Sequence, residues 1–72
     1  MSTHDTINVR IVRDEQNRDG WTARTLSTSS LCFLFNIGEV ITQLEPGQVW
    51  EADILEAKEQ FTLISLTHKI KD

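Results

Sequence analysis

The sequence predicts an all-β fold, a small five-stranded antiparallel barrel. Short stretches that alternate apolar and polar residues recur along the chain, and strong turn signals separate them. Size supports the same prediction, because a chain of 72 residues buries only about 60% of its unfolded surface. Closing the sheet removes strand edges that so short a chain could not otherwise cover.

The first two predicted strands flank a polar loop. Residues 7–12 alternate β-branched residues with Asn8 and Arg10, which predicts a half-buried strand with these two side chains facing outward. The polar run 14–20 ends in Asp-Gly, a dipeptide that favours a turn. Residues 21–26 then form the second predicted strand.

The middle of the chain contains its most apolar segment. Residues 27–30 are consecutive hydroxyl residues and predict a loop. The run 31–35 is apolar on both faces, which predicts a central strand covered on both sides. Residues 40–44 follow as either a short strand or a single helical turn.

The last third of the chain begins with the clearest turn signal and then becomes ambiguous. Proline and glycine at positions 46 and 47 favour a tight turn. Residues 49–55 alternate as a strand does, but Trp50 and three later apolar residues also fall at helical spacing. We favour the strand interpretation, in which residues 56–60 form a hairpin loop before a last strand at 61–67.

These elements predict a single domain. Residues 1–6 are expected to be a disordered tail, and residues 7–70 form the barrel, which wraps around the two tryptophans and three phenylalanines. Five short strands in a chain of this length are typical of the small Greek-key barrels, the OB and SH3-like group.

Three segments carry a family resemblance. Residues 20–24 (Gly-Trp-Thr-Ala-Arg), after a strand and a polar loop, look like a glycine-rich segment ending in Ala-Arg, and residues 32–35 (Cys-Phe-Leu-Phe) stand where the family has a Val-Phe-Val type of strand. Residues 44–63 are similar to its Pro-Gly-acidic-Val turn, alternating strand and lysine-bearing hairpin followed by an aromatic residue. Over roughly residues 7–67 the chain thus resembles the TRAM domain, which implies an OB-like (TRAM-like) barrel that binds RNA.

The distribution of charge is compatible with this function. The net charge of −4 argues against a nucleic-acid binder. However, four arginines balance four carboxylates in residues 1–36, whereas three lysines face seven carboxylates in residues 37–72. One basic face on an acidic protein is therefore compatible with the sequence.

The expected function is a non-catalytic nucleic-acid-binding module, with RNA or another single-stranded nucleic acid bound weakly and largely independently of sequence. Arginine matches phosphate with two hydrogen bonds, and aromatic side chains stack on bases. The candidate nucleic-acid-binding residues are Arg10, Arg13, Trp21, Arg24, Phe33 and Lys58. Each also has a purely structural interpretation: Trp21 as a cover for one end of the barrel, Phe33 as part of a covered face, and the cations as ordinary surface charge.

The acidic second half of the chain predicts an alternative function. A protein-protein interaction module, an adaptor or an inhibitor, would dock on a basic partner protein through these carboxylates: Glu45, Glu51, Asp53, Glu56 and Glu59. A homodimer that pairs residues 31–35 across a two-fold axis is a third interpretation.

The sequence predicts neither an enzyme nor a metal or cofactor site. His4 and His68 have no partner at metal-ligand spacing, and Cys32 lies where burial raises a thiol pKa and leaves the thiol inert. No apolar run approaches the ~18 residues of a membrane span. The polar first residues lack the apolar region of an export signal, and a single cysteine fits a reducing compartment. We therefore expect a cytoplasmic protein that does not enter the membrane.

Overall fold

The computed structural model describes residues 5–72. Five strands form a closed barrel in the order β1-β2-β3-β5-β4, which confirms the predicted all-β barrel. The strands are β1 (Thr6–Arg13), β2 (Trp21–Thr25), β3 (Leu31–Leu34), β4 (Val49–Ala57) and β5 (Thr62–Lys71). Between β3 and β4 lie a short helix, α1 (Ile37–Val40), and a 3-10 turn (Ile41–Gln43).

The sheet is mixed rather than wholly antiparallel. β1 pairs with β2 and β4, β2 with β3, and β4 with β5, all antiparallel. β3 and β5 run parallel, with Phe33 opposite Leu63. The helical connection after β3 lets β4 pair with β1, so that β5 returns beside β3 in the same direction. The expected antiparallel arrangement therefore holds for every pair except this one, because alternation of residues predicts faces and not strand directions.

The core is built around both tryptophans and aliphatic side chains. Trp50 is 3% exposed, and its indole N–H donates a hydrogen bond of 2.9 Å to the side-chain oxygen of Gln48. The Gln48 amide nitrogen in turn donates to the carbonyl of Gln43 at 3.0 Å, which ties the 3-10 turn to β4. The other buried apolar residues are Val9, Ile11, Trp21, Ala23, Cys32, Leu34, Val40, Leu44, Ala52, Ile64 and Leu66.

None of the three phenylalanines lies in this core. Phe33 and Phe61 are half-buried, and Phe35 is 67% exposed. In β3, Cys32 and Leu34 are the buried residues, so the odd-numbered residues face outward. The expectation that the barrel wraps around all three phenylalanines is wrong, and so is the expectation that both faces of residues 31–35 are covered.

The ambiguous segment after Gly47 is a strand. β4 alternates buried Trp50 and Ala52 with half-exposed Glu51 and Asp53, and a loop at 58–61 joins it to β5. Gly47 adopts a positive φ of 90° and its N–H donates to the carbonyl of Ile11 at 2.9 Å, so the predicted turn also fastens β4 beside β1. Residues 40–43 belong to helical turns and Leu44 follows them in an extended conformation, so this segment does not form a strand.

The ends of the barrel differ slightly from the predicted domain. β1 begins at Thr6, and the carbonyl of Asp5 accepts a hydrogen bond of 2.8 Å from the N–H of Ile54. β5 continues to Lys71. The rest of the predicted tail, with His4, lies outside the described residues. No helix within residues 5–72 has the length and apolar character to cross a membrane.

Candidate nucleic-acid interface

Two arginines lie side by side on the outside of the barrel. Arg10 of β1 and Arg24 of β2 are direct cross-strand partners, and both are exposed. Neither makes an ion pair within residues 5–72. The Arg24 guanidinium donates one hydrogen bond of 3.0 Å to the carbonyl of Ser29, which leaves most of its donors free. Like charges directly opposite each other are destabilising, so this pair creates a local positive site without a charge partner.

The three phenylalanines line the outer surface next to these arginines. Phe33 of β3 packs against Phe61 of the β4-β5 loop, with ring centroids 4.8 Å apart and planes tilted by 60°. Phe35 directly follows β3; its backbone N–H donates to the carbonyl of Ile64 at 2.7 Å, and its side chain is 67% exposed. We call Phe33, Phe35 and Phe61 the phenylalanine ridge.

Strand register joins the arginines to the ridge. Arg24 lies opposite Leu31 of β3, and Phe33 lies two residues further along β3. Phe33 in turn lies opposite Leu63 of β5. Neighbouring strands are about 4.8 Å apart, so a continuous surface of roughly 14 Å extends from β1 across β2 and β3 to β5. We call Arg10, Arg24, Leu31, Leu63 and the phenylalanine ridge the outer stripe.

Trp21 and Arg13 lie together at one end of the barrel. Trp21 is only 9% exposed, and the Arg13 guanidinium carbon lies 4.9 Å from the centroid of its ring. Gly20 lies beside this contact at a φ of 81°, and the positive φ rather than space favours glycine there, since an added Cβ would be at van der Waals distance, 3.4 Å, from the Arg13 guanidinium. Trp21 thus covers the end of the barrel, and a base could stack on it only if Arg13 moved aside.

Lys58 is engaged with its own hairpin. Its ammonium nitrogen lies 3.0 Å from a carboxylate oxygen of Glu56, and its backbone N–H donates to the carbonyl of Phe61 at 2.9 Å. An ion pair between exposed side chains contributes little to stability, but it offsets the positive charge of Lys58 next to the ridge.

The five carboxylates of the alternative interface do not form one patch. Glu51 and Asp53 share the outer face of β4 and are half-exposed. Glu45 precedes β4, whereas Glu59 follows it, and a strand of this length separates its ends by roughly 25 Å. Glu56 is paired with the hairpin lysine.

The topology places the outer stripe on a recurrent binding face. A five-stranded Greek-key barrel in which a helix separates β3 from β4 and β3 lies beside β5 is OB-like, and such barrels bind oligonucleotides and oligosaccharides on the face of β2 and β3 and on the neighbouring loops. No protein-family model and no curated protein sequence matches the chain. The resemblance to the TRAM domain therefore stays a prediction.

In the phenylalanine ridge, Phe35 and Phe61 were not among the predicted binding residues. A signal for Phe35 was its spacing of two residues from Phe33, which places both rings on one face. No local signal identified Phe61, because its contact with Phe33 depends on the parallel pairing of β3 with β5.

The remaining titratable groups of residues 5–72 include one buried thiol. Burial raises the pKa of the Cys32 thiol, and the positive charge of Arg24 offsets part of this rise. Residues 5–72 contain no group of three or more histidine, cysteine or carboxylate side chains able to hold a metal ion, and this part of the chain forms no pocket.

Proposed function

We propose that the protein is a non-catalytic module that binds single-stranded nucleic acid, RNA in the first instance, on the outer stripe. The observation that carries this proposal is the placement of every phenylalanine of the chain outside the core, beside an arginine pair without a charge partner. The choice of RNA rests on the resemblance of the sequence to the TRAM domain.

The position of the phenylalanines calls for a binding explanation because aromatic rings are strong contributors to protein cores. A ring left at the surface of a small barrel gives up much of that stabilisation. Stacking a base on such a ring is worth ~1–3 kcal/mol in proteins that bind single strands. The bases of a duplex are stacked on one another, so the ridge favours an unpaired strand.

The arginine pair supplies the complementary contact to the backbone. Guanidinium groups bind phosphate oxygens with two parallel hydrogen bonds. Contacts of this kind and ring stacking do not distinguish bases, because neither reads the hydrogen-bonding edge of a base. Binding is therefore expected to be weak and largely independent of sequence, with the net charge of −4 opposing it.

The test is a titration of fluorescein-labelled oligouridylate with the wild-type protein and the Phe33→Leu variant, followed by fluorescence anisotropy at low salt. Leucine retains an apolar side chain beside Phe61 but lacks a ring, and we expect affinity to fall about tenfold. The matched control is Ile70→Ala, which changes an apolar residue 48% exposed at the other end of β5 and should bind like wild type. A duplex RNA of the same length should bind more weakly than the single strand.

Two results would overturn the proposal. One is the absence of RNA binding by the wild-type protein even at low salt. The other is equal affinity of Phe33→Leu and Ile70→Ala, with thermal unfolding showing both variants folded, because the ridge would then have no part in the contact.

A further inference from the structure

We infer that the outer stripe takes a short segment of about three nucleotides, fewer than the ~4–16 that a typical OB fold covers. This inference rests on the proposed function and specifies the size of its ligand. Three nucleotides contain two linking phosphates, and the numbers of accessible cations and rings on the stripe match this size.

The cations limit the number of phosphates. The chain has seven lysines and arginines, and only Arg10 and Arg24 lie on the stripe. Arg13 covers Trp21, Lys58 pairs with Glu56, and Lys69 pairs with Asp72. The other two lie elsewhere: Arg18 in the β1-β2 loop among Asp14, Glu15 and Asp19, and Lys71 at the end of β5.

The rings limit the number of stacked bases. Phe33 and Phe61 are in contact at 4.8 Å between centroids, so they form one platform. Phe35, the exposed residue that directly follows β3, lies two residues beyond Phe33, at most roughly 7 Å along an extended chain, and forms the second. Two bases can therefore stack, while the third nucleotide extends over Leu31 towards the arginines.

Carboxylates bound the stripe at both edges. On the ridge side, Glu56 lies directly opposite Leu63. On the arginine side, Glu51 lies opposite Asn8, the outward residue two positions before Arg10 on β1. A longer nucleic-acid strand would meet the mutually neutralised Glu56–Lys58 pair at one edge and the negative charge of Glu51 at the other, so additional nucleotides gain no cationic contact.

The first measurement is affinity against length, with labelled oligouridylates of one to twelve nucleotides at one low salt concentration. Affinity should rise steeply up to three nucleotides. From four to twelve nucleotides the affinity should rise only about fivefold. A four-nucleotide strand can place three consecutive nucleotides on the site in about two ways, and a twelve-nucleotide strand in about ten ways. A gain of about fiftyfold or more over that range would overturn the inference, as would a mononucleotide that binds as tightly as the trimer.

The second measurement is the salt dependence of the twelve-nucleotide strand. Two neutralised phosphates predict a slope of about −1.4 in log affinity against log salt, and Arg10→Gln should reduce it to about −0.7. The control is Lys71→Gln. Lys71 of β5 and Arg10 of β1 lie on opposite sides of Val49 of β4, so this variant removes a cation outside the stripe and should leave the slope unchanged. A slope steeper than about −2.8, or a shallower slope in Lys71→Gln, would show a longer site and overturn the inference. Failure of the proposed function is a different result, since no length would then bind.

Discussion

Cys32 couples the stability of the barrel to pH through burial. Its pKa is raised from the ordinary value of 9.0 chiefly because the charged thiolate loses its hydration inside the core. The folded state therefore holds the thiol proton more tightly than the unfolded state does. By linkage, the resulting stabilisation is complete below the unfolded pKa and is lost as pH rises towards the folded pKa.

We expect the free energy of unfolding to fall as the pH rises above 9.0, the ordinary thiol pKa, more steeply for the wild-type protein than for Cys32→Ala, by up to about 1.4 kcal/mol per pH unit. Urea unfolding at a series of pH values measures both proteins. Parallel pH profiles for the two would mean that the thiol ionises equally easily in both states.

Among the elements, the pairing of β3 with β5 depends on a side chain as well as on the backbone. Beyond Leu34 the Asn36 amide takes the place of a strand residue. Its nitrogen donates to the carbonyl of Leu66 at 2.9 Å, and its oxygen accepts from the N–H of Leu66 at 3.0 Å. Asn36 makes no side-chain capping bond to α1, so its interactions belong to the barrel rather than to the helix.

We predict that Asn36→Ala lowers the free energy of unfolding by about 1–3 kcal/mol, because both half-buried groups of Leu66 lose their partners. Asn36→Asp should cost less, since a carboxylate still accepts from the Leu66 N–H. Denaturant unfolding gives the free energies, and hydrogen exchange at the Leu66 amide reports the local effect. Unchanged protection of that amide in Asn36→Ala would contradict this account of how β3 and β5 are joined.

At the scale of the whole molecule, positive and negative charges occupy different parts of the barrel surface. Arg10 and Arg24 lie on neighbouring strands, while Glu51 and Asp53 lie on β4, the other neighbour of β1. At low ionic strength, where the screening length is about 30 Å, the carboxylates are close enough to repel an approaching nucleic-acid strand. At high salt, where the screening length is about 3 Å, they are not.

Neutralising Glu51 and Asp53 together, as Glu51→Gln with Asp53→Asn, should therefore raise the affinity for oligouridylate about two- to fivefold at low salt and have no effect near 1 M salt. Anisotropy titrations of the wild-type protein and the double variant at both salt concentrations provide the measurement. The comparison of the two proteins at high salt is the internal control. A loss of RNA affinity at low salt would show that these carboxylates take part in binding.

The sequence alone determined where the five strands of this protein lie and which residues of β1 face outward. Alternation and the Pro46-Gly47 turn correctly predicted β4 as a strand, and alternation placed Arg10 on an outward position. These properties are local, because side chains alternate with a period of two residues along any strand and turns are set by a few adjacent residues.

Only the tertiary structure decided which strands became neighbours and in which direction. The parallel pairing of β3 with β5 brings Phe61 against Phe33 across a long stretch of sequence and completes a ridge of which the sequence had predicted only Phe33 as a binding residue. An apolar run is equally compatible with either face of a strand being buried. Closure of the barrel settles the choice, because the interior is occupied by two indoles, Cys32 and aliphatic side chains, and the three remaining rings lie outside it.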